Sequence, residues 1–90
     1  MKAIYETSHF RKDIKKVRKR GKQIEKLKVI VGRIANGEPL DPRHRDQALI
    51  GPLKGSRDCH IEGDWLLIYR TDGESLFLER TGSHSELFKK

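Results

Sequence analysis

The stretch "SRDCHIEGDWLLIYRTDGESLFLER", residues 56–80, decides the fold. Its apolar and β-branched runs at 56–61, 65–70 and 75–80 are separated by "EGD" and "TDGE", short polar turns, so the segment reads as an antiparallel meander. Asp72-Gly73 is a strong type I′ signal. Taken as the two central turn residues, it sets Tyr69 opposite Leu76, Leu67 opposite Leu78 and Trp65 opposite Arg80. If Glu62-Gly63 close the other hairpin, His60 lies opposite Trp65 and Asp58 opposite Leu67. His60, Trp65 and Arg80 then form a row across three strands, whereas a three-residue turn sends His60 to the other face. Both faces of the central strand are apolar, which leaves open which of them the helices cover.

Upstream the period changes from two to that of a helix. Phe10, Ile14 and Val17 repeat at helical spacing after Ser8, a capping residue, and Gly21 is the stop. Ile24, Leu27, Ile30, Val31 and Ile34 mark a second helix that ends at "NGEPLDP", so the pair is an αα-hairpin joined at the glycine. "KAIYE" at 2–6 reads as a first strand, and residues 37–47 read as a loop. The expected architecture is one α+β domain over 1–90, a strand and αα-hairpin packed on a mostly antiparallel sheet in the order β-α-α-β-β-β.

Charge separates the two halves. Residues 1–45 hold 14 Lys/Arg against 5 Asp/Glu, a balance of +9, and residues 46–90 hold 6 against 8, a balance of −2, giving the overall +7. Such a surface suits a polyanion, whether nucleic acid, a ribosome, an anionic membrane or an acidic partner protein, and its plain alternative is a solvated helix face. The single cysteine, Cys59, excludes an internal disulfide and fits a reducing cytosol. With no signal peptide and no apolar run near the roughly 18 residues of a membrane span, the expectation is a cytoplasmic protein without a membrane partner.

The second half gathers His60, His84, Asp58, Asp64 and Arg80 with the aromatics Trp65 and Phe88 near strand ends and turns. That set suits metal-independent RNA cleavage: imidazoles transfer protons to and from ribose oxygens, and a guanidinium stabilises charge on phosphorus. An aromatic ring stacks on a splayed base. Each residue also has a plainer reading. His60 can be a half-buried histidine bonded to a neighbour, His84 a surface residue and Arg80 a structural ion pair. Trp65 and Cys59 read first as core. A zinc site from His44, Cys59, His60 and His84 lacks any paired-ligand spacing.

"PLDPRHRDQAL", "LKGSRDCHIEGDWLLIYR" and "LERTGSHSELF" together resemble the YafQ-like branch of the RelE/ParE toxin superfamily, the toxins of bacterial type II toxin–antitoxin pairs. The likeness runs from about Phe10 to Phe88. It implies a RelE-like fold, a cognate antitoxin that wraps and silences the toxin, and cleavage of mRNA in the ribosomal A site by 2′-OH attack with no metal or small-molecule cofactor. Carried over position by position, it implies catalytic roles for His60, His84, Arg80, Asp64 and Asp58, with Phe88, Trp65, Lys54 and Arg57 on the substrate. In one place the pattern departs. Where the family often carries a histidine in an Asp-His-Pro-Leu context this chain reads "RDQAL", and Gln47 cannot shuttle a proton near pH 7. His44 is the nearest imidazole that could substitute. Two further readings stay open on sequence alone: a ParE-type toxin that binds DNA gyrase, and a basic nucleic-acid-binding module with weakened catalysis.

Overall fold

Thr7, not Ser8, caps the first helix. Its hydroxyl accepts the Phe10 N–H at 3.0 Å and donates to the Glu79 carbonyl at 2.8 Å, so one side chain both starts the helix and ties it to the sheet. The computed structural model describes residues 1–88, and the last two residues of the expected domain lie outside them. Strand β1 (Ala3–Glu6) leads into α1 (Ser8–Lys19) and α2 (Ile24–Ala35). A short strand β2 (Gln47–Ala48) precedes β3 (Arg57–Glu62), β4 (Trp65–Thr71) and β5 (Ser75–Gly82), and α3 (His84–Leu87) follows. The residues expected as a loop thus contain a 3-10 turn at Pro42–His44 and the edge strand β2. A further 3-10 turn, Gly51–Leu53, links β2 to β3.

The sheet has five strands in the order β1-β5-β4-β3-β2, with β1 parallel to β5 and every other pair antiparallel. It is an α+β fold of the expected kind. Phe10 and Val17 of α1 join Leu27, Ile30, Val31 and Ile34 of α2 against Cys59, Trp65, Leu67, Tyr69 and Leu78, which fixes the helix-covered face of the sheet. Each such side chain contributes about 1.5–3 kcal/mol when fully buried.

Both hairpin registers differ from expectation. Thr71 pairs with Leu76, so Gly73-Glu74 are the central turn residues, and the Asp72 carboxylate accepts the Glu74 and Ser75 N–H groups. An Asx turn thus stands in place of the type I′ turn, the aspartate side chain itself satisfying two amides of the turn. At the other hairpin Glu62 pairs with Trp65, and His60 faces Leu66 across an irregularity at Ile61. The row of His60, Trp65 and Arg80 therefore does not form.

Candidate active site

Paired residues share a sheet face, so the register identifies the surface opposite the helices. One rung reads Gln47, Asp58, Ile68, Arg80 across β2, β3, β4 and β5; the next reads His60, Leu66, Gly82. Arg80 reaches this face by means of a bulge. Leu76 and Leu78 point to the core, and plain alternation would send Arg80 there too. Instead Tyr69 pairs with Leu78 and Ile68 with Arg80, leaving Glu79 as the extra residue. The inserted residue re-aims everything after it.

Where β1 ends opposite Leu78, β5 loses its strand neighbour and α1 takes over. Asp13, with a side chain 8% exposed, accepts the Thr81 N–H at 3.2 Å. The same carboxylate receives Arg80 Nε at 2.7 Å and Nη2 at 3.2 Å. Asp13 pushes the Arg80 guanidinium still further up from its usual value, through the hydrogen bond first. Of the five N–H donors of a guanidinium, these two bonds commit one edge and leave the other without a protein acceptor among the described residues.

The chain then turns at Gly82, φ 153°, where a Cβ would stand 3.0 Å from Glu86 Oε1, so no other residue fits without displacing that carboxylate. Ser83 and Glu86 form a capping box: Ser83 Oγ accepts the Glu86 N–H and Glu86 Oε1 accepts the Ser83 N–H at 3.0 Å. Arg20, at the end of α1, grips Glu86 with both terminal nitrogens, Nη1 at 2.6 Å from Oε1. This pairing, ahead of the Ser83 amide, holds the Glu86 carboxyl at about 2. The fastened turn lays His84 over the open face, its ring 6.0 Å from that of His60 and 5.4 Å from that of Phe88.

Both imidazoles have an orienting partner on Nδ1. His60 Nδ1 faces the Gly63 carbonyl at 3.3 Å, and since a carbonyl only accepts, the proton resides on Nδ1 and Nε2 is left free. His84 Nδ1 lies 3.5 Å from Asp64 Oδ1, and that oxygen also accepts the His84 backbone N–H at 3.1 Å. Asp58 is 2% exposed beneath them, and its Oδ1 has no hydrogen-bond partner among the described residues. Burial pushes its carboxyl up from the usual range, partly offset by Gln47 beside it.

Three expected substrate residues lie elsewhere. Trp65 is 2% exposed in the helix-covered core and donates from Nε1 to Thr81 Oγ1 at 2.8 Å. A ring enclosed on that side has no face to offer a base. Arg57 alternates onto the same side as Tyr69 and pairs with Asp46 at 3.1 Å, away from His60. Lys54 ends the Gly51–Leu53 turn, exposed and outside the two rungs. His44 sits on the Pro42–His44 turn against the outer edge of β3, held there by its Nδ1 on the His60 carbonyl at 2.6 Å, and not at the place of Gln47 opposite Asp58. Cys59 is fully buried, and burial pushes its thiol up to about 12. Among the described residues no group of three or more His, Cys, Asp or Glu converges as metal ligands.

Sequence reasoning missed Asp13, Glu79, Arg20 and Glu86. Asp13 lies in phase with Phe10 and Val17 on α1, and a carboxylate on an apolar stripe is a detectable signal. "SHSE" carried the capping-box pattern. Nothing in the sequence marked the bulge at Glu79.

The family model described as the bacterial toxin of type II toxin–antitoxin system, YafQ, matches residues 2–89. The chain is 41% identical over 83 residues to an Escherichia coli K12 protein named mRNA interferase toxin YafQ, covering 91% of this chain and 90% of that one. Among solved structures, a copper-bound mutant toxin from Helicobacter pylori superposes with a TM-score of 0.94 at 39% identity, covering 98% of this chain and all of the other. YafQ in the E. coli DinJ–YafQ complex superposes with a TM-score of 0.89 at 40% identity, covering 98% and 99% of the two chains.

Proposed function

The chain belongs to the YafQ family of bacterial type II toxin–antitoxin toxins, and on that premise we propose that it is an mRNA interferase, an endoribonuclease cutting messages in the ribosomal A site and held silent by a cognate antitoxin. The named E. coli relative supports the activity and the DinJ–YafQ complex supports the antitoxin. The observation that carries the reading is the meeting of the His60 and His84 rings on the face where the β5 bulge presents Arg80.

In the proposed reaction the free Nε2 of His60 takes the proton of the 2′-OH as that oxygen attacks phosphorus. The bond from phosphorus to the 5′ oxygen breaks, and His84 protonates the departing oxygen, leaving a cyclic phosphate and a 5′-hydroxyl. Each proton transfer contributes about 10²- to 10⁴-fold. The uncommitted edge of Arg80 stabilises charge on the phosphoryl oxygens, and Phe88 lies against His84 where a base can stack. Asp64 orients His84 through its backbone and ring. Asp58, beside Gln47, supports the floor under His60.

Induction in bacteria followed by mapping of mRNA 5′ ends tests this. New ends inside reading frames are expected for the wild type and not for His84→Ala or Arg80→Ala. Arrested growth with intact messages refutes it, as does unchanged cleavage by both folded variants. Purified protein incubated with the same message, with and without programmed ribosomes, then decides ribosome dependence.

A further inference from the structure

β2 pairs only with Arg57 and Asp58, so among the described residues the outer edge of β3 from Cys59 to Glu62 has no strand neighbour. The Pro42–His44 turn leans on that edge through the His44–His60 hydrogen bond and stops short of α2. Between them lies a cleft of about 640 Å³, with Lys26, Val29 and Ile30 on one wall and Arg43, His44 and Arg45 on the other. Its floor is His60 to Gly63. The volume falls in the usual range of small-ligand clefts, about 300–1,000 Å³.

The lining combines the exposed Val29 side chain, with the buried Ile30 behind it, and uncompensated positive charge. Val29 is 62% exposed on a helix whose other outward residues are mostly charged. Lys26 is answered by Glu62 at 2.6 Å, but neither Arg43 nor Arg45 has a carboxylate partner among the described residues. Arg45 is also the one described non-glycine residue with positive φ, 47°. An arginine held in the left-handed region is unusual, and such strain gathers at functional positions. His60 belongs both to the cleft and to the imidazole pair.

We propose that this cleft is a substrate subsite that takes the nucleotide adjoining the scissile phosphate, its phosphate on Arg43 and Arg45 and its base against Val29 and Ile30. The inference rests on the endoribonuclease reading of the face beside it. RNA is favoured over an acidic peptide because the cleft opens from His60, so a strand cut there runs into it without leaving the protein.

The test titrates the full chain, ¹⁵N-labelled, with an RNA pentanucleotide blocked by a 2′-deoxy group at its central residue, and with two versions shortened from either end. The pentanucleotide is expected to shift the amides of Val29, Ile30, His44 and Gly63 together with those of His60 and His84, and one shortened version to lose only the first group. The double variant Arg43→Gln with Arg45→Asn, the asparagine being tolerant of the left-handed backbone, should bind the pentanucleotide about 10-fold more weakly. Its salt slope should fall by about 0.7 for each phosphate that is no longer neutralised. The double variant should bind that same shortened version as the wild type does. Shifts confined to the sheet face, no binding, or equal weakening of every oligonucleotide overturns the subsite; so does displacement of the cleft signals by an acidic peptide alone. Occupancy of the cleft by RNA in a protein that cuts no message would instead sink the endoribonuclease reading and leave the cleft standing.

Discussion

Asp13→Asn isolates the contribution of positioning to the proposed chemistry. The substitution keeps the shape of a side chain that accepts Arg80 Nε, Arg80 Nη2 and the Thr81 amide. One oxygen becomes an NH₂ donor facing another donor, and the charge is gone. Hydrogen bonds to charged groups contribute about 1.5–3 kcal/mol. The Arg80 side chain is 31% exposed, so solvent screens part of this and the lower end, about 1.5 kcal/mol, is expected. With a urea slope of about 1–1.5 kcal/mol/M for a chain this small, the unfolding midpoint should drop by about 1–1.5 M. If the guanidinium supplies about 10²- to 10³-fold in rate, holding it by one bond instead of two should cost about 10-fold in single-turnover cleavage on programmed ribosomes. Arg80→Ala should lose the whole factor, and adding Asp13→Asn to it should lose nothing more, because the aspartate acts through the arginine. A folded Asp13→Asn with wild-type cleavage, or one whose loss multiplies that of Arg80→Ala, refutes the reasoning.

The remaining predictions concern acid, a thiol and the missing histidine. Glu86 titrates near 4.5 when unfolded and about 2 in the fold, so its stabilising contribution is whole above pH 4.5 and disappears as pH falls through about 2. Glu86→Gln should flatten the acid limb of the stability curve in that window, and an unchanged limb would show that the Arg20 clamp contributes nothing. With its thiol at about 12, Cys59 carries only about 10⁻⁴ thiolate at pH 8, so a disulfide reagent should label the folded protein negligibly and the denatured protein fully; prompt native labelling contradicts the buried placement. Gln47→His places an imidazole beside Asp58 on the open face, and because His60 and His84 carry both proton transfers in the proposed reaction, single-turnover cleavage should change by less than about 10-fold. A larger gain would mean that His60 or His84 does not carry the proton transfer assigned to it.

The helices and the meander were legible because apolar residues recur at helical spacing from Phe10 to Ile34 and in short β runs from Ser56 to Arg80. Which side chains meet was not. Register depends on turn chemistry, and Asp72 chose an Asx turn over a primed one. β2 has only two residues, too few for any periodicity. His60, His84 and Phe88 were found by motif and do come together, whereas Trp65 and Arg57 share the motif and face the other way. Neighbours in sequence along a strand alternate sides, so a motif that spans β3 and β4 necessarily mixes site residues with core residues.

The bulge at Glu79 gives the site a property of parity. Arg80 emerges on the same side as His60 because Glu79 is left out of the ladder, so the side is set by the pairing of the backbone and not by which side chains the strand carries. Drawing Glu79 into the ladder, or inserting one residue after it, swings the guanidinium toward the hydrophobic interior and brings Thr81 out in its place, whereas deleting Glu79 leaves Arg80 opposite Ile68. An insertion, far more than a substitution, is therefore the change by which a chain of this fold could keep its shape and abandon its chemistry.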